Sequence, residues 1–126
     1  EKVRSYGLRE VCEKLFRSQH LDAIVSPMMG NKVPKPRPGY RGYGESNTAL
    51  VYKTMRFVPL ANFLGLPGLV LPVDYEQDTG LPIGFQLLGD AWTEHKLIRI
   101  ASVLEQSTTR RRPPAENFFD PIESFL

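Results

Sequence analysis

Cysteine is almost absent from this chain: Cys12 is the only one among 126 residues. No intrachain disulfide can form, which excludes the secreted scaffolds that replace a large core with crosslinks. Missing as well is any apolar run near the roughly 20 residues that span a bilayer as a helix, and no signal-peptide pattern opens the chain. An intracellular setting is the default expectation, with the compartment otherwise undetermined. Charge of one sign is lacking too, since 16 basic and 14 acidic residues leave a net +2; no general affinity for nucleic acid is expected. His20 and His95 have no Cys, His, Asp or Glu neighbours at ligand spacing, so no metal is expected. Neither Gly-x-Gly-x-x-Gly nor the phosphate-loop pattern occurs, and no cofactor is expected. The Gly-x-Ser-x-Gly elbow of many serine hydrolases is absent. Ser26, at a strand end near Asp22, has no base placed to activate it and reads as a hydrogen-bonding residue.

What is present suits a globular segment, with 41% hydrophobic residues to supply a core. The basic excess is concentrated in Arg110-Arg111-Arg112 ahead of Pro113-Pro114, which reads as a solvated linker while leaving a peripheral membrane contact open. The chain opens at Glu1 rather than at methionine, which points to a processed or excerpted segment.

Leu8, Val11, Cys12, Leu15 and Phe16 recur at helical spacing opposite Arg9, Glu10, Glu13, Lys14 and Arg17, which predicts an amphipathic helix ending near His20. Ala23-Ile24-Val25-Ser26, stopped by Pro27, predicts a buried strand, read as parallel. Residues 27–46 form a Pro/Gly-rich loop in which Pro34, Pro36 and Pro38 alternate with basic residues. Ser46 or Asn47 is placed to cap the next helix, Pro59 to bend or break it, and Gly65 to end it in a left-handed turn. Gly68 to Val73 is apolar at consecutive positions, which predicts a strand covered on both faces. The short polar link to Gly80 predicts an antiparallel partner over Pro82 to Leu88, and with a parallel first strand the sheet would be mixed. Thr93 is placed to cap a last helix carrying Leu97, Ile98, Ala101 and Leu104, and residues 107–126 read as an irregular aromatic tail.

Three stretches in this order carry a family resemblance: Asp22-Ala23-Ile24-Val25-Ser26-Pro27, then Met55 through Pro67 with its Ala-Asn-Phe-Leu-Gly-Leu-Pro ending, then Leu81-Pro82-Ile83-Gly84-Phe85-Gln86-Leu87-Leu88-Gly89. They resemble the C-terminal part of amidase signature enzymes. The resemblance implies an α/β fold, a mixed sheet flanked by helices, with residues 1–126 as the C-terminal segment of one amidase signature domain. It also implies an amide hydrolase working through a serine acyl-enzyme, in which a lysine accepts the serine proton through a bridging cis-serine hydroxyl. The glycine- and serine-rich segment that carries those groups in the family has no counterpart here, so no catalytic residue is expected in this chain, and the segment alone is expected to be inactive.

The wording around Met55-Arg56-Phe57-Val58 and Gly80-Leu81-Pro82 looks most like plant fatty-acid-amide-hydrolase-type members. Met28, Met29 and Met55 are the candidate substrate contacts, as adaptable apolar walls for an acyl chain, against the alternative that all three fill the core. Two other readings stay open. One is the glutamine-using branch, the glutamyl-tRNA amidotransferases, although that branch usually has an acidic residue where Met55 stands. The other is a non-catalytic interaction module. The expected partners are a small-molecule amide and the remainder of the amidase domain, and self-association is open.

Overall fold

A computed structural model describes residues 2–39, 42, 44 and 46–108. The chain runs as helix α1 (Lys2–Ser18), strand β1 (Ile24–Pro27), helices α2 (Thr48–Thr54) and α3 (Pro59–Leu64), strands β2 (Gly68–Tyr75) and β3 (Pro82–Leu88), and helix α4 (Glu94–Ser107). The arrangement is an α/β one, as expected. The expected tail lies, beyond Thr108, outside the described residues.

Local chemistry explains most of the boundaries. Asn47 Oδ1 accepts the Leu50 N–H at 3.1 Å and closes the first turn of α2. Pro59 opens α3 as its first residue, where its missing N–H costs nothing, so the helix is broken into two short ones at the expected place. Gly65 ends α3 with φ 63°, a conformation that glycine adopts without penalty. At the end of α1 the same device uses another residue: Leu21 N–H reaches Phe16 O at 2.9 Å while His20 takes φ 51°. One expected cap is corrected. Thr93 precedes α4 but makes no side-chain cap, because its hydroxyl donates back to Asp90 O at 2.7 Å.

The sheet has the order β1-β3-β2. β2 and β3 form a hairpin whose turn is closed by Glu76 N–H to Leu81 O and Gly80 N–H to Glu76 O, both 2.8 Å. The register pairs Leu69 with Leu87 and Leu71 with Phe85, then shifts between Pro72 and Asp74. β1 pairs with the other edge of β3, Ile24 opposite Leu88 and Ser26 opposite Gln86, and it is antiparallel. The expectation of a parallel β1, and hence of a mixed sheet, is corrected: all described pairs are antiparallel. β1 and β2 do run in the same direction, but β3 lies between them.

One face of this sheet carries the core. Leu71, Leu87 and Leu97 are its buried centre, with Leu69, Val73, Phe85, Ile100, Ala101 and Leu104 packed around them. Gly89 lets α4 approach, since a Cβ there would lie 2.5 Å from Thr93 Oγ1. The other face is only partly covered. Gln86 is buried there, while its cross-strand neighbour Val70 is 50% exposed. Burial along β2 alternates, so the expected covering on both faces is corrected as well. In α1, Phe16 is buried but Leu8, Val11 and Leu15 are exposed.

Candidate functional site

The loop that leaves β1 is fixed by two backbone contacts. Met28 N–H donates to Gly84 O at 2.9 Å and extends the ladder by one residue. Gly30 N–H reaches Thr54 O at 3.4 Å, and a Cβ on Gly30 would collide with the carbonyl oxygen of Lys53. The loop therefore lies between β3 and the end of α2, and only glycine fits the second contact.

Between this loop and the β2–β3 hairpin opens a cleft of about 1310 Å³. Met28, Met29 and Val33 of the loop and Val70, Pro72 and Ile83 of the hairpin supply its apolar lining. Asp74, Glu76 and Asp78 line the hairpin side, and Lys32 reaches across to Asp78 at 3.5 Å. Two of the three candidate contacts, Met28 and Met29, thus line this cleft. Met55, at the C-terminal end of α2, is 47% exposed and does not line this cleft.

Ser26 faces Gln86 across the β1–β3 pair. Ser26 Oγ and Gln86 Oε1 are both buried and, among the described residues, neither has a hydrogen-bond partner. The Ser26 hydroxyl therefore has no general base among the described residues, and the chemistry of an activated nucleophile is not assembled there. Sequence reasoning missed the hairpin carboxylates as cleft residues. Their alternation with Tyr75 and Gln77 marks a polar link, and only the return of the 27–33 loop makes that link one side of a cavity.

A second, smaller hollow of about 350 Å³ lies where α1 ends and α4 begins, lined by Phe16, His20, Asp22 and Lys96 among others. Lys96 Nζ bonds Asp22 Oδ1 at 2.8 Å. That hydrogen bond, followed by the ammonium charge itself, holds the Asp22 carboxyl below the usual aspartate value. The pair ties the start of β1 to the first turns of α4. Among the described residues no helix is long and apolar enough to cross a membrane.

Comparison with known proteins places these elements in context. The chain matches the amidase family over residues 1–98. It is 38% identical over 104 residues to a fatty acid amide hydrolase of Oryza sativa subsp. indica, a match covering 82% of this chain and 17% of that protein. It is 37% identical over 117 residues to the A subunit of a glutamyl-tRNA(Gln) amidotransferase of Synechococcus sp. (strain JA-2-3B'a(2-13)), covering 90% and 21%. Among solved structures it resembles peptide amidase from Stenotrophomonas maltophilia, with a TM-score of 0.52 and 31% identity over 87% of this chain and 21% of that one. The chain therefore spans about a fifth of the length of these relatives.

Proposed function

The chain belongs to the amidase family, and on that premise we propose that it forms the C-terminal part of a serine amide hydrolase acting on carboxylic amides with an apolar acyl chain, fatty acid amides among them. In this reading residues 1–126 complete the sheet and supply one wall of the substrate cleft. The nucleophilic serine, the bridging cis-serine and the lysine of the family lie outside them. The serine attacks the amide carbon, the lysine takes its proton through the bridging hydroxyl, the amine leaves, and water cleaves the acyl-enzyme.

The observation that carries the apolar-chain reading is that Met28, Met29, Val70 and Ile83 line one cleft together. Flexible thioether side chains suit a long chain without fixed polar contacts. Identities of 37–39% to plant proteins named fatty acid amide hydrolase point the same way. The test is hydrolysis by the intact protein of long-chain fatty acid amides and, separately, of glutamine, with mass spectrometry of the acylated residue. The expected result is turnover of the long-chain amide with the acyl group on a serine outside residues 1–126. A second reading, favoured by the 37% identity across 90% of the chain, is the glutamine-using component of an amidotransferase. Glutamine consumption that requires a partner protein, with no fatty amide turnover, would replace the first reading by the second.

A further inference from the structure

The cleft is apolar along its walls and acidic along the hairpin. Among the described residues Lys32 is the only cation in its lining, against Asp74, Glu76 and Asp78. Lys32 and Asp78 are within ion-pair distance and offset one another. Two carboxylates remain. Asp74 Oδ1 accepts the Tyr75 N–H at 2.8 Å, and Glu76 Oε2 accepts the Thr79 hydroxyl at 2.9 Å. Both donors are neutral, and among the described residues no lysine or arginine lies within ion-pair distance of either carboxylate.

An excess of two negative charges beside apolar walls attracts cations and repels anions, most strongly where the surface is concave and water is displaced. We infer that this cleft takes a ligand whose apolar chain carries a positively charged group, and that it discriminates against the same chain ending in a carboxylate. Met28, Met29, Val33 and Ile83 hold the chain; Asp74 and Glu76 face the cation. For substrate identity the inference rests on the amide-hydrolase reading above. The substrates selected are then apolar amides bearing an ammonium group.

The test measures binding of an alkyl ammonium, an alkyl alcohol and an alkyl carboxylate of equal chain length to the intact protein. The ammonium is expected to bind about tenfold more tightly than the carboxylate at low salt, with the alcohol between them and the difference shrinking as salt rises. Asp74→Asn with Glu76→Gln should bring the ratio close to one, with folding checked by the melting curve. Lys32→Gln, which leaves Asp78 uncompensated, should widen it. Equal binding of the charged pair, a tighter carboxylate, or a ratio unmoved by both sets of variants overturns the inference. The two readings fail separately. Turnover of long-chain amides without charge preference removes the inference alone, while cation-selective binding without any amide turnover removes the hydrolase reading alone.

Discussion

Met28 rests directly on Gly84: the two share a backbone hydrogen bond of 2.9 Å, and a Cβ added to Gly84 would stand 2.9 Å from the Met28 Cβ. The wall of the cleft is seated on the one residue of β3 that has no side chain. Gly84→Ala should push Met28 off the sheet and lower stability by about 1–3 kcal/mol, the usual range for an overpacked contact. Denaturant melts of the intact protein measure the loss. An unchanged midpoint would show that the loop yields freely.

If Met28 and Met29 contact an acyl chain, a lysine at either position should reduce the preference for long-chain over short-chain amides by roughly tenfold, as expected for loss of a few methylene contacts. Met55→Lys, at an exposed position away from the cleft, should leave that preference alone. Ratios of kcat/KM for a chain-length series decide the matter; equal behaviour of all three variants would remove the assignment.

The Asp22–Lys96 tie has a defined pH dependence. A carboxyl held below its ordinary value in the folded state contributes stability above its unfolded value of about 3.9, and that contribution is lost as pH falls through the lower folded value. Asp22→Asn should therefore lower Tm at neutral pH, with the difference from the natural chain fading on acidification below that range. The pair is exposed on both sides, so the effect is small and should shrink in high salt. A difference independent of pH would assign it to packing.

Residues 1–126 alone should not melt as a tight monomer. Leu8, Val11 and Leu15 of α1 and Val70 and Ile83 of the hairpin leave apolar surface in the open, which promotes association or loose packing. Scanning calorimetry and dye binding on this segment are expected to show a broad transition or aggregation. A sharp, concentration-independent transition would instead favour an autonomous interaction module.

What is legible in the sequence is local. The Asn47 cap, the break at Pro59, the left-handed Gly65 and the limits of β3 each depend on a residue and its neighbours within a few positions. The direction of β1 is not legible, because its partner lies more than 60 residues away, Ile24 opposite Leu88, and so short a run, Ala23-Ile24-Val25-Ser26, suits either sense. Nor is the open face of β2. Leu69-Val70-Leu71 reads as doubly buried, yet only alternate positions meet α4. Thr93 reads as a cap, yet Asp90 O competes for its hydroxyl. Among the site residues, Met28 and Met29 are identifiable from their place just after β1. The hairpin carboxylates are not, since their role depends on a loop returning from forty residues upstream, Lys32 to Glu76 and its neighbours.

The placement of β3 between β1 and β2 also fixes an order of assembly. β1 leaves the ribosome before the other strands, yet its sheet neighbour among the described residues is made last of the three. The β2–β3 hairpin, joined by a short turn, can form within microseconds of its synthesis, whereas β1 must wait for it and then close a long loop. Throughout that interval Ile24 and Val25 lack their sheet partner and are open to pairing with other chains.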